Sequence, residues 1–359
     1  METVQKPGSS RAFANWILIG MIMLLVQVIL GGITRLTGSG LSITEWDVIT
    51  GAIPPTNEVR WMEEFNKYKQ TPQFHLLHAD FNLSDFKFIF FWEWFHRLWA
   101  RLVGLVFVAG FIYLVARKEM KKDMVKPMLI LFLLGALQGA IGWIMVASGL
   151  TGDAIYVKPA KLALHFVFAL GLICYTFWFY LELTVPRRNI IRERGIALFT
   201  ISILVILFFQ LVYGALMAGY KAANIAPTWP RINGDWIPPL ALKKDFFLLN
   251  LVDDKIMVQF IHRGLAYLLL VLTLVWTVKA NKVSAVSKYW QKSRWLPVIL
   301  IAVQVILGIT ALLLSPGIVA NHWIAFDWVA LFHQLTGMLF LLTMVFMLFL
   351  VRPVESNNQ

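Results

Sequence analysis

The chain is 359 residues long, 59% hydrophobic and only 14% charged, with a mean hydropathy of +0.70. That composition excludes an ordinary soluble domain and fits a polytopic helical membrane protein. The net charge of +12 and the single cysteine, Cys174, set two further bounds: the charge sits in loop clusters, so no nucleic-acid partner is expected, and one thiol cannot build a disulfide framework, a thiolate zinc site or an iron–sulfur cluster.

Eight stretches reach the ~20 apolar residues that a bilayer crossing needs. They lie near 13–34, 89–115, 127–149, 160–183, 196–219, 254–278, 294–315 and 327–351. The expected fold is an all-α polytopic membrane protein with eight transmembrane helices. Lys6 and Arg11 precede the first stretch as they would in a signal peptide, but its apolar run exceeds the ~7–15 residues of one. The stretch also recurs later in the chain, so a retained span is expected. The short N-terminus leaves no room for an organelle transit peptide, and a bacterial inner membrane is the simplest location.

The first loop, 35–88, is long and nearly balanced in charge. Within it Trp61, Phe65 and Tyr68 fall at helical spacing, which predicts an amphipathic helix on the surface over 58–70. Trp46, Trp61, Trp229, Trp236 and Trp323 suit an interface belt or contact with a bound macrocycle. Three alternate loops are rich in bases: Arg117 to Lys126, Arg187 to Arg194 and Lys279 to Arg294. This asymmetry is the positive-inside pattern. It predicts cytoplasmic termini and outer loops at 35–88 and 220–253.

The chain repeats itself. Val26-Gln27-Val28-Ile29-Leu30-Gly31 returns as Val303-Gln304-Val305-Ile306-Leu307-Gly308, with related runs at Gln138 and Gln210. His96 and Gln138 each lie 166 residues before their counterparts His262 and Gln304, and His165 lies 168 before His333. Two tandem four-helix bundles in parallel orientation are expected, residues 1–190 and 191–359. Gly31, Gly32, Gly139, Gly142, Gly214 and Gly308 fall on odd-numbered spans, most simply for close helix packing.

Each half places two histidines early in its even-numbered spans: His96 and His165, then His262 and His333. An ionisable side chain inside a span is costly and marks a functional site by default. Paired imidazoles across a bundle suit haem iron, which takes two axial ligands, so two haem sites toward the outer face are expected. A proton relay would want more carboxylates within the spans than Glu93, since Glu182 and Asp327 sit at span ends. Arg35, Arg97 and Arg263 could hold propionates or anchor the interface. His75, His78 and His322 read as solvated loop residues, and Cys174 as a small buried hydrophobe.

The halves differ at one position. Glu93 shares a helix face with His96, and Gln259 takes its place before His262. An enzyme with one haem as cofactor and one as substrate has a use for a carboxylate at one site only. A di-haem b-type electron-transfer protein or a haem-carrying assembly or transport protein has none, and Glu93 would then simply pair with Arg97 or Arg101.

At these residues the chain resembles the haem A synthase family, in the subtype shared by proteobacteria and mitochondria. The resemblance covers nearly the whole chain. It is carried by Gly31-Gly32-Ile33-Thr34-Arg35-Leu36-Thr37-Gly38-Ser39-Gly40-Leu41-Ser42, Trp46, Gly51 and Pro54-Pro55, by Phe86 to Arg97, by Pro159 to His165 and by Phe260-Ile261-His262-Arg263. It implies oxidation of the C8 methyl of haem O to the formyl group of haem A by two successive hydroxylations. It also implies haem b on His262 and His333, the substrate haem between His96 and His165, and Glu93 as catalytic carboxylate. Haem O synthase is the implied neighbour, and a homo-oligomer is left open. Some Gram-positive relatives carry cysteine pairs in their outer loops; this chain has none.

Overall fold

A computed structural model describes residues 11–45, 50–242, 248–284, 287–318 and 323–352. Lys6, Trp46 and His322 lie outside the described residues. Twelve α-helices occur among the described residues, and no strand: α1 Arg11–Leu36, α2 Glu58–Lys69, α3 Pro72–Leu77, α4 Leu83–Ala116, α5 Lys122–Ala147, α6 Pro159–Thr184, α7 Arg194–Gly219, α8 Asn250–Asp253, α9 Lys255–Asn281, α10 Lys288–Ser293, α11 Leu296–Leu314 and α12 Ala325–Val351. Eight of these segments are long and apolar enough to cross a membrane. They are α1, α4, α5, α6, α7, α9, α11 (with α10 before it) and α12, matching the eight expected stretches.

The second span begins at Leu83, not near 89, because a polar turn precedes the apolar run. Asn82 accepts hydrogen bonds from the backbone of Ser84 and Asp85, while the Asp85 carboxylate accepts from Asn82 N. This reciprocal cap is worth ~1 kcal/mol, enough to extend a helix that composition alone would start later. The predicted surface helix forms as α2, but it does not lie free. Its apolar face packs on the start of α4, with Phe65 stacked at 5.0 Å on Phe86 and Trp61 edge-on to Phe90 at 5.0 Å.

In the second half, α7 packs against α9, α9 against α11, α11 against α12 and α12 back against α7. In the first half, α1 packs against α4 and α6, and α5 against α6. Among the described residues α4 and α5 do not pack side by side as α9 and α11 do. The halves meet through α6 with α7 and α12, and through α1 with α12. The largest core cluster lies at this junction and runs along α12 through Met344, Met347 and Phe349. Its fully buried Trp276 donates Nε1 to Thr200 Oγ1 at 2.9 Å, the partner an indole needs away from water.

Candidate functional site

All four span histidines line one cavity of about 1420 Å³ that runs between the spans of both halves. A repeated local device sets each ring. Gln27, Gln138, Gln210 and Gln304 each stand four residues before Gly31, Gly142, Gly214 and Gly308, so glutamine and glycine share one helix face. Each glycine faces one imidazole: a Cβ on it would come 3.3 Å from His96 Nε2, 2.9 Å from His165 Cε1, 3.2 Å from His262 Cε1 and 2.9 Å from His333 Cε1, respectively. At Gly142 and Gly308 a side chain would force the ring to move, and at Gly31 and Gly214 it would press tightly on it. Helix packing, the simpler expectation for these glycines, holds for Gly32, whose added Cβ would meet Leu331 at 2.9 Å.

The glutamines complete the device. Gln138 Nε2 lies 3.1 Å from His165 Nδ1, Gln210 Nε2 lies 3.4 Å from His262 Nε2, and Gln304 Nε2 lies 3.3 Å from His333 Nε2. Gln27 donates to the His96 backbone carbonyl at 3.2 Å, as Gln138 also does to that of His165 at 3.0 Å. Sequence reading noticed these glutamines as repeat markers but missed them as histidine partners. The Gln-x-x-x-Gly spacing opposite each histidine was the signal that could have found them.

The site fits a haem. Rings of His262 and His333 lie with centroids 6.4 Å apart and planes at 73°, a gap that takes one metal atom between two imidazoles. His333 Nδ1 lies 3.1 Å from the Gln304 backbone carbonyl. Donation there fixes the tautomer that presents Nε2 as a ligand. His262 Nδ1 and Arg35 Nε are buried without a hydrogen-bond partner, and Arg35 lines the same cavity. Among the described residues no cluster of three or more His, Cys, Asp or Glu could hold a bare ion. Two histidines suffice when the metal brings a porphyrin and needs only axial ligands.

Glu93 is buried, lines the cavity and is held on three sides. Its Oε2 accepts from Ser42 Oγ at 2.7 Å and Ile43 N at 2.9 Å, and its Oε1 accepts from Arg97 Nη2 at 2.5 Å. Arg97 also donates to the carbonyls of Ile43 and Glu45. The pairing of Glu93 with Arg97, read from the sequence as the alternative to a chemical role, is therefore present. Gln259 is clasped in the same way: it accepts from Arg263 Nη2 at 3.2 Å and donates to Ala222 O at 3.2 Å, while Arg263 reaches Ala226 and Thr228 carbonyls. Gln259 does not line the cavity.

One loop histidine overturns its expectation. His75 is exposed, as a solvated residue should be, but His78 is only 4% exposed. Its ring stacks on Phe81 at 4.0 Å, its Nδ1 lies 2.6 Å from Tyr68 Oη, and it lines the cavity. The turn after α3 folds the ring inward, which loop composition could not reveal. Tyr68 donates to Gln73 at 3.0 Å. Burial and the Glu93 charge push its phenol above the ordinary value, so it stays protonated. Cys174 is half-buried among core residues.

Comparison with known proteins agrees with this geometry. Residues 14–345 match the COX15-CtaA family of cytochrome oxidase assembly proteins. A haem A synthase from Paracoccus denitrificans is 40% identical over 280 residues, spanning 77% of this chain and 74% of its own. One from Flavobacterium psychrophilum is 37% identical over 346 residues, spanning 95% and 98%. One from Methylobacterium radiotolerans is 38% identical over 335 residues, spanning 92% and 87%. With four histidines seated by one repeated device and likeness along nearly its full length, the chain belongs to the haem A synthase family.

Proposed function

We propose that this protein converts haem O to haem A in a bacterial inner membrane, with both termini cytoplasmic and the histidine pairs toward the outer face. The C8 methyl becomes a hydroxymethyl group and then a hydrate, which loses water to leave the formyl group. Each of the two hydroxylations inserts one oxygen atom and withdraws two electrons from the carbon, so the reaction consumes an external oxidant: dioxygen, or an electron acceptor with water as the oxygen source. Haem b, held by His262 and His333, supplies electron-transfer chemistry when bound. His96 and His165 flank the substrate haem. Glu93 takes a proton from one hydroxyl of the hydrate and returns it to the other, which departs as water. Ser42, Ile43 and Arg97 fix the carboxylate for that task. Haem O synthase, which makes the substrate, is the natural neighbour in the bilayer.

The observation that carries this reading is the placement of Glu93: a buried carboxylate on the cavity wall one helical turn before His96, where the second half has an amide off the cavity. The test is extraction and mass analysis of haems from protein purified with and without a haem O source. Haem b together with haem O, haem A or the hydroxymethyl porphyrin is expected. Two haem b per chain, unchanged by haem O, would establish a di-haem electron carrier instead.

A further inference from the structure

The cavity differs between the halves below the histidine pairs, toward the ends of the spans remote from the long loops. Gly20 of α1, Gly104 of α4, and Gly135 and Gly139 of α5 all line it. A Cβ added at any of the four would meet nothing within 4 Å, so helix packing does not explain these glycines. Their repeat counterparts are bulky. The 166-residue offset that relates His96 to His262 takes Gly104, Gly135 and Gly139 to Leu270, Ile301 and Val305. The 183-residue offset that relates Gln27 to Gln210 takes Gly20 to Ile203. Ile203 and Ile301 are buried in the main core, and Leu270 packs against it. Thus the space that is filled in the second half is a slot in the first, where α4 and α5 stand apart.

The slot has a floor. Trp16 donates Nε1 to Val106 O at 3.1 Å, its ring lies 5.5 Å from Phe107, and Phe107 lies 6.4 Å from Phe132 across the gap between α4 and α5. From His96 to Phe107 is eleven residues of helix, about 16 Å. Arg97, at its upper end and paired with Glu93, and Arg101 are the charged side chains lining this stretch among the described residues. The slot is therefore a long, mostly apolar extension of the His96/His165 site, closed at its far end by these rings.

We infer that this slot holds the isoprenoid chain of the substrate porphyrin, which enters sideways from the bilayer between α4 and α5. The inference rests on the reading that His96 and His165 flank haem O. Haem O carries a long isoprenoid chain on its rim where haem b has a short vinyl group. A resident haem b needs no such slot, and the second half has none. A substrate that arrives through lipid and leaves again needs both an apolar berth and an unsealed helix pair.

Gly104→Leu and Gly135→Ile, alone and together, put into the first half the residues that the second half already carries. Each protein, in lipid nanodiscs, is titrated with haem O and separately with haem b. The absorption change at the first-half pair is followed, with His96→Ala assigning the signal. The double variant is expected to weaken haem O about tenfold or more while haem b binding at this pair and resident haem b content hold within about twofold. Gly104→Ala should give a smaller loss. Equal weakening of both porphyrins would mean that the substitutions damage the histidine pair, and would overturn the inference. Unchanged haem O binding would overturn it too, leaving the slot to bilayer lipid. Wild-type protein that binds haem O no better than His96→Ala would instead remove the site reading beneath it.

Discussion

The two halves use one clasp to hold their loops, and they differ in its polarity. In each, an arginine directly after the histidine reaches loop carbonyls and bonds the side chain four residues before it. In the second half that side chain is Gln259, which donates to Ala222 and Ala223 carbonyls. In the first it is Glu93, and the loop turns donors toward it, Ser42 Oγ and Ile43 N. The second half shows that a neutral amide is enough to hold a loop. The carboxylate in the first half, and the loop conformation rebuilt to receive it, therefore call for a reason beyond packing. A buried anion beside a site where a substrate loses protons is such a reason.

The largest effect should come from breaking one pair at a time. His262→Ala is expected to reduce resident haem b to background and abolish haem A formation together. His96→Ala should keep haem b and still make no product. Haem content and haem A output, measured on the same purified samples, check both. Equal loss of haem b in the two variants would mean that the halves are not divided into cofactor and substrate sites.

Next comes Glu93→Gln, which makes the first clasp chemically like the second. Product formation should fall about 10²-fold or more, the scale of a lost general base, with haem b and haem O still bound. The amide would also turn N–H groups toward Ile43 N, leaving a buried donor unmet at a cost of ~1–3 kcal/mol. A modest drop in the thermal midpoint is therefore expected alongside the lost activity. Normal haem A output from this variant would remove Glu93 from the chemistry and leave it a loop clasp only.

Much of this architecture was legible in the sequence, for a physical reason. Spans announce themselves by apolar runs, and four histidines inside such runs cannot be accidents of composition. The Glu93/Gln259 difference was also legible, because a repeat supplies its own comparison. What sequence could not give were contacts made across helices. His78 is inside because the turn after α3 points it there, although Ala79 and Asp80, directly after it, are exposed. The glycines of the odd spans read as packing residues, yet four of them make room for a ring on another helix, and others face open space. The same residue type serves three purposes, and only the facing surface tells them apart.

The smallest predicted effects sharpen the comparison most, because they act on the repeated device itself. Gln304→Leu and Gln138→Leu remove amides that lie within 3.3 Å and 3.1 Å of the rings of His333 and His165. Gln138 lies at Nδ1 of its ring, where a partner orients a metal-binding imidazole and its loss typically weakens metal affinity 10- to 100-fold, whereas the Gln304 amide lies at Nε2, the nitrogen that faces the metal, and gives way when one binds. Gln304→Leu should therefore change haem b retention during dialysis by about twofold or less, because His333 keeps its Nδ1 contact to the Gln304 backbone carbonyl. Gln138→Leu should weaken substrate haem about tenfold and leave haem b alone. Gln27→Leu should do least, because its amide holds the His96 backbone carbonyl and not the ring. If Gln27→Leu proved as damaging as Gln138→Leu, the ring contacts would not be what the repeated glutamines are for. Their common role would then be to tie each odd span to the even one after it, and the order of effects in the series would follow helix packing instead of imidazole chemistry.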